Sequence, residues 1–495
     1  MSITLRPSIC FSVFIKQLTA ISCCALLLGC GQSELSPDKS AKAAAKSVDI
    51  PAVKADGLKG SKPNILVFIA DDAGWKDYGT YGNPVVKTPT IDLLAKDGLK
   101  FEQAMLTIAQ CSPSRVSILS GKYPHSTKAE DLHIPLPEDG KLVPHYLKQA
   151  GYFNGNMFKQ HYGLNGAAQF DWYSDKLDDF GIFLDTAGDK PFFMWTGFHD
   201  PHRSYSPGAI DEPHDPNDVI VPKQFVDTPQ TRQDIAYYYD EIGRLDLYIS
   251  RMMADLENRG MLENTLVVFL SDNGMPWPGA KGSVYDMGIG TPLIMRMPSK
   301  IKAGDTYEPL TSVVDLAPTF LDLAGVEIPA DMQGRSIIQI LEGDKAPNRE
   351  MIFSERNWHN CDEHNRAVRT EKYKLIKNGY PYWPACTAAD IGKSPSFKDM
   401  KVGKHAGTLT TEQARHFVEP RPVYELYDLT VDPDEFANVA GKAAYIEVQK
   451  ELTSALEKWI VDTNDLPPNR RTKLPNTDRW TGKKFTRTNP ALTNK

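Results

Sequence analysis

The chain of 495 residues is long enough for a main domain with a sizeable core plus a smaller one, or for two comparable domains. With 41% hydrophobic and 24% charged residues it has the composition of a folded protein, which excludes extensive disorder away from the ends. A formal net charge of -7 leaves no basic excess to release counterions from phosphates, so nucleic acid is excluded as a partner, and an anionic substrate would have to meet local positive charge.

The start of the chain reads as a targeting signal. Arg6 and Lys16 precede a short apolar run, "AISCCALLLGC", which is too short and too polar at its edges to span a membrane. Its ending, Leu27 to Cys30, resembles the lipobox of bacterial lipoproteins. This implies a signal over 1–29, lipidation of Cys30, and an exported lipoprotein of the periplasm or cell surface. Gly31, not Asp, follows the cysteine, so the expectation is an outer-membrane anchor. Residues 30–60, rich in Ser, Ala, Lys and Asp, are expected to be a flexible tether. Of the seven cysteines, Cys111, Cys361 and Cys386 then remain. In an oxidising compartment an odd set of three fits one pair and one special residue, and Cys361 and Cys386 are close enough in sequence to bridge a loop.

The body opens with "PNILVFIADDAG", an apolar run that reads as a strand buried on both faces. "TIDLLAKDGLKF" reads as a helix capped by Thr90. "KPFFMWTGFHDPH", "TLVVFLSDNG" and "TPLIMRMP" give further strands, and the long periodic segment from Arg232 to Gly260 gives a helix. Strands alternating with helices predict an α/β fold: a large mixed, mostly parallel sheet flanked by helices on both faces, over 61–345. From 346 to 495 the pattern changes to short strands and a final helix, "AYIEVQKELTSALEKWIVDTN". This predicts a smaller C-terminal α+β domain built on a short antiparallel sheet, with a loose or surface-wrapping tail from 466.

Polar clusters follow three of these strands, where open α/β sheets bind ligands. Asp71-Asp72 and Asp272-Asn273 each fit a turn when taken alone, but together they favour a hard divalent metal, because carboxylate and amide oxygens suit Ca²⁺ or Mg²⁺ more than zinc. Arg115, Lys159, His161, His199, His202 and Lys281 could converge beside the metal to build a pocket for a tetrahedral anion.

"CSPSR" at 111–115 matches the Cys-x-Pro-Ser-Arg signature of type I sulfatases, members of the alkaline-phosphatase-like superfamily. The resemblance extends through "ILVFIADDAG", "GKYPH", "SDNG" and "ELYDLTVDPDEFANVA", in the right order over roughly residues 63 to 440. "FHDPHR", "VPKQFVDTPQTR", "GRLD" and "DNGMPWP" look more like the heparan N-sulfatase (sulfamidase) branch than like arylsulfatases. Two departures stand out. Phe158 replaces the family's usual Gly before Lys-x-His, and "YDMGIGTP" lacks a commonly found Arg.

The resemblance implies that Cys111 is converted to formylglycine by a separate maturation enzyme and that Asp71, Asp72, Cys111, Asp272 and Asn273 surround one Ca²⁺. The aldehyde hydrate would attack sulfur, with Asp272 taking up the proton, while Arg115, Lys159 and Lys281 neutralise the sulfate oxygens. His202 or Lys281 would protonate the leaving oxygen or nitrogen. His161 would then help the second hydroxyl expel sulfate. Ser112 and Ser114 are expected as turn and cap residues, and His125, near the signature, is a weaker candidate for the site that also fits a helix-end or loop histidine. Arg203, His359, His364 and Arg366 are candidate contacts to the rest of the sugar, although each singly also fits a solvated polar residue. The implied activity is hydrolysis of sulfate esters or N-sulfate on carbohydrates, such as oligosaccharides from ulvan or a glycosaminoglycan. Two alternatives are a phosphomonoester, phosphodiester or phosphonate hydrolase of the same superfamily and a non-catalytic lipoprotein that binds sulfated glycan.

Overall fold

The computed structural model describes residues 57–467 and Lys484. The signal, Cys30 and most of the tether lie outside the described residues, as does the tail apart from Leu466, Pro467 and Lys484. The end of the predicted tether is not loose. Leu58 is buried, its amide donates to Glu342 Oε1 over 2.6 Å, and the amide of Gly60 donates to the Asp322 carbonyl over 2.8 Å. An apolar residue in an otherwise polar run thus fixes the packed body as starting before residue 61. Among the described residues, no helix is long and apolar enough to cross a membrane.

The main sheet is formed by β1 (Asn64–Ala70), β2 (Leu99–Met105), β3 (Phe153–Phe158), β4 (Trp172–Ser174), β5 (Phe192–Gly197), β6 (Thr265–Ser271), β7 (Leu293–Arg296) and β8 (Asp305–Ser312). Their order is β4-β3-β5-β1-β6-β7-β2-β8, parallel throughout except for β7, which runs antiparallel to both neighbours. The central strand β1 shows why a continuous apolar run was needed. Ile65, Val67 and Ile69 enter one core, whereas Leu66, Phe68 and Ala70 enter the other. Alternate side chains therefore leave water on opposite faces, each large one contributing about 1.5–3 kcal/mol. The helix Leu316–Ala324 covers the first face and the long helix Pro229–Asn258 the second.

The first helix, α1, spans Pro89–Lys96, one turn shorter than the sequence suggested, because "LKF" belongs to β2. Thr90 is not its cap. The cap position is Thr88, with Pro89 at the first helical position, and Asp246 of the long helix accepts the free amides of Thr90 (3.1 Å) and Ile91 (2.8 Å). Helix α2 (Cys111–Ser120) follows β2 and is buried along its whole length.

A second sheet contains β9 (Ile352–Arg356), β10 (Asn365–Arg369), β11 (Tyr373–Asn378) and β12 (Tyr424–Asp428), all antiparallel, in the order β12-β11-β10-β9. Leu452, Leu456 and Trp459 of the helix Ile446–Asp462 pack on it against Val368, Leu375 and Leu426. Cys361 and Cys386 are disulfide-bonded with a Cα–Cα distance of 6.1 Å, and Cys111 is the free cysteine among the described residues.

Candidate active site

The parallel strands β3, β5, β1 and β6 lie side by side, with Phe158 paired to Gly197, Ile69 to Gly197 and Ala70 to Ser271. Their ends therefore deliver Lys159, His199, Asp71-Asp72 and Asp272-Asn273 to one edge. Helix α2 brings Cys111 and Arg115 to the same place from β2. Ligand-competent atoms of Asp71, Asp72, Cys111 and Asp272 lie within 4.8 Å of one another.

Two close approaches explain local sequence choices. A Cβ on Gly197 would sit 2.4 Å from Arg115 Nη1 and 2.3 Å from the Lys159 carbonyl, so glycine is what lets Arg115 pass the end of β5. Phe158 has φ +61°, the left-handed region in which glycine is the ordinary occupant. Its ring stacks on Phe198 with centroids 5.5 Å apart, a contact that glycine could not make.

Three cations are pinned to the carboxylates. Arg115 Nε donates to Asp272 Oδ2 over 2.7 Å and Nη1 to the Lys159 carbonyl over 3.0 Å, while the buried Nη2 has no hydrogen-bond partner. Lys159 Nζ pairs with Asp71 Oδ2. Lys281 Nζ is 2.7 Å from Asp72 Oδ2 and 2.8 Å from Asp390 Oδ2. His202 Nε2 stands 3.8 Å from both Asp72 Oδ2 and Asp390 Oδ2. His161 Nε2 is 2.6 Å from His133 Nδ1, and its own Nδ1 is buried without a partner.

Burial opposes charge on Asp71, but Lys159, His202 and Arg115 outweigh it and hold the carboxyl well below its usual range. Burial together with the Asp71 charge pushes Asp272 up to about 6, although Arg115 and Lys159 oppose the rise. Burial also drives the Cys111 thiol well above its ordinary value, so the encoded residue is a neutral thiol and a poor nucleophile. It lowers His161 as well, with Lys159 adding to the effect, which keeps that ring neutral.

The donor set fits a hard cation. Asp71 Oδ1 and Asn273 Oδ1 are buried oxygens without hydrogen-bond partners, set beside the carboxylates of Asp72 and Asp272. Buried acceptors are rarely left unsatisfied, and an all-oxygen cluster of this kind suits Ca²⁺ or Mg²⁺.

Several sequence-based assignments need correction. Ser112 and Ser114 lie inside α2, whose cap position is Gln110. Ser112 Oγ accepts the amide of His133 over 2.8 Å, and Ser114 Oγ has no partner. Arg203 is not free to contact a sugar. It forms a forked pair with Asp234 (2.6 and 2.8 Å) and its guanidinium lies 4.4 Å from the centre of the Trp277 ring. Arg366 is fully buried in a forked pair with Asp465. His364 packs beside Tyr380 and lies within electrostatic range of Asp465. His359 is buried within electrostatic range of Lys281 and Asp390, and burial pushes it down to about 3. His125 is a structural residue, bonded to Glu355 through its amide (2.9 Å) and its ring. His199 is exposed and meets His202 through its backbone carbonyl, 2.9 Å from the His202 amide. Asp390 and His133 were missed, because neither sits in a patterned stretch nor near a strand end on the main sheet.

Comparisons with known proteins agree with this arrangement. The Sulfatase family model matches residues 63–180 and 173–326, and a model described as N-sulphoglucosamine sulphohydrolase, C-terminal, matches 280–391. Human N-sulphoglucosamine sulphohydrolase is 30% identical over 466 residues, covering 83% of this chain and 92% of the relative. An ulvan-active sulfatase of Formosa agariphila is 27% identical over 483 residues, covering 86% and 79%. A solved structure described as a complex with its substrate D-glucosamine-2-N,6-O-disulfate shares the fold, with a TM-score of 0.64, 22% identity and coverage of 81% and 98%.

Proposed function

The chain belongs to the sulfatase family, and from that premise we propose that it removes sulfate from small sulfated saccharides, with glucosamine N-sulfate as the first substrate to test. The observation that carries this reading is the placement of Cys111, at the first turn of α2, between a cluster of carboxylates and the cations Arg115, Lys159 and Lys281. The similarity to the human N-sulphoglucosamine sulphohydrolase favours an N-sulfate, and that to the ulvan-active enzyme favours an ester on an algal polysaccharide.

Ca²⁺ held by Asp71, Asp72, Asp272 and Asn273 would supply positive charge beside the sulfate oxygens. Formylglycine at position 111 would supply an aldehyde hydrate, with one hydroxyl to attack sulfur and a second whose deprotonation frees the sulfate. The other residues have roles set by their positions. Arg115 Nη2 is a buried donor with no hydrogen-bond partner, 4.0 Å from Asp71 Oδ1, and with Lys159 and Lys281 it would bind the anion and offset its charge. His202 Nε2, between two carboxylates, would deliver a proton to the leaving oxygen or nitrogen. His161, kept neutral, would accept a proton at Nδ1, with His133 holding the ring in place. Because Cys111 is buried, we place its conversion by a maturation enzyme before folding is complete.

An exported location is supported by the Cys361–Cys386 disulfide, since such bonds persist in oxidising compartments, and lipid anchoring by the lipobox-like Leu27 to Cys30. The deciding experiment is incubation of the matured protein with glucosamine N-sulfate, glucosamine 6-sulfate, ulvan oligosaccharides and a phosphate monoester, reading the free anion. Release of phosphate but not sulfate would favour the phosphohydrolase alternative. Release of neither would favour a glycan-binding lipoprotein.

A further inference from the structure

A second cavity, of about 200 Å³, lies behind the loop that carries Lys281, between that loop, the second sheet and the segment around Cys386. Its polar wall is unusual. Five arginines are buried among the described residues, and four of them, Arg115, Arg349, Arg366 and Arg369, have carboxylate partners. The fifth, Arg356, lines the cavity and has none. Its Nη2 donates to the Cys386 carbonyl over 2.6 Å, and its Nε is buried without a hydrogen bond. Arg415 also lines the cavity without a carboxylate partner among the described residues. It rests 4.2 Å from the centre of the Tyr285 ring and donates to the Glu435 carbonyl over 2.7 Å.

Two carboxylates line the cavity, Glu412, which is bonded to Thr410, and Glu425. Glu425 accepts from Asn378 Nδ2 and from the hydroxyls of Tyr285 and Tyr427. Glu363 accepts from Arg421 Nη2 and the Cys386 amide. Burial, offset only in part by Glu363 and reinforced by Arg421, holds the Arg356 guanidinium below its ordinary value. An unpaired buried cation is costly, by several kcal/mol for a fully desolvated one, so this wall asks for an anion. Val284, Ile376, Ile391 and Met400 supply apolar walls, the usual make-up of a small-molecule site with a few polar anchors.

We infer that this cavity is a second, non-catalytic site for a small oxyanion, recognised by Arg356 and Arg415. The oxyanion is either free sulfate or a charged group carried on a sugar ring. The site adjoins the carboxylate cluster, since Lys281 lines both, but its anion is held by Arg356 and Arg415 and its occupancy does not depend on turnover.

Calorimetric titration of the full chain with inorganic sulfate and, separately, with glucuronate would test this, alongside crystals soaked in selenate. The expected result is a binding event in wild type that weakens at least tenfold in R356Q, with a selenate peak in hydrogen-bond reach of Arg356. Sulfate alone producing the event identifies the free anion, and glucuronate alone identifies the sugar-borne group. Should R356Q fold poorly, Ala388→Leu, which fills the cavity, must show the same loss. Identical titrations of wild type and both variants with both ligands, or no selenate in the cavity, would overturn the inference.

Discussion

Lys281 Nζ bridges Asp72 and Asp390, with Asp390 Oδ2 at 2.8 Å. A segment from beyond β11 thereby places a carboxylate at the site, and Asp390 Oδ1 remains buried without a hydrogen bond. If Asp390 positions Lys281 and His202, D390N should lower kcat more than it raises KM. The expected loss in kcat/KM is roughly 10- to 100-fold, the scale of a hydrogen bond to a charged group. Steady-state sulfate release from the matured enzyme checks this, and an unchanged kcat would reduce Asp390 to a packing role.

Metal removal should affect stability as well as turnover. Asp71, Asp72 and Asp272 repel one another when charged, so chelation should lower the melting temperature and activity together, with Ca²⁺ restoring both. A ligand at 100 times its Kd stabilises by about 2.7 kcal/mol. A melt and an activity unaffected by EDTA would contradict the assignment of these carboxylates as metal ligands.

His125 gives a pH signature away from the site. Burial works against its charge, but Glu355 outweighs this and raises the pKa above its ordinary 6.5. The stability of this pair is then fully present below 6.5 and is lost as pH rises through the raised value. The difference in melting temperature between wild type and H125Q should shrink from pH 6 to pH 9. A difference that grows over that range would contradict the sign.

The Cys361–Cys386 bridge closes a loop of 25 residues, and Asp390 follows it by four. Replacing both cysteines with serine should cost about 3 kcal/mol, the loop-entropy scale for a closure of this size. Activity should also fall, because the segment carrying Asp390 loses its tie. Chemical denaturation and kinetics of C361S/C386S would measure the two effects separately.

Position 111 is the sharpest test of the chemistry. Cys111→Ala should remove sulfate release by on the order of 10³-fold or more while leaving saccharide binding intact, as is usual when a covalent nucleophile is lost. Full activity in this variant would exclude the covalent route.

Asp71-Asp72 and Asp272-Asn273 were legible in the sequence because each sits directly after an apolar strand, and a parallel sheet aligns the ends of such strands. Arg115 was legible because it closes the Cys-x-Pro-Ser-Arg signature, although the helix α2 that carries it was not foreseen. Asp390 and His133 were not, because they reach the site from irregular segments whose path depends on tertiary packing. Arg203 and Arg366 misled for a related reason: nothing near them in sequence announces Asp234 or Asp465, the partners that remove them from the surface. Thr90 misled because the acceptor for the first amides of α1 comes from Asp246, more than 150 residues away.

The sheet order has a consequence for how the protein comes into being. Cys111 and the two acidic pairs follow strands separated by β7, and Asp390 arrives only after β11, between the third and fourth strands of the second sheet. Closing contacts this distant is slow, since chain entropy must be lost before they return any energy. No N-terminal fragment ending before residue 390 carries the whole constellation. The residues that would hold the metal, Asp71, Asp72, Asp272 and Asn273, all precede residue 274, so metal uptake and the later docking of Asp390 on Lys281 are separate events that can be timed one against the other.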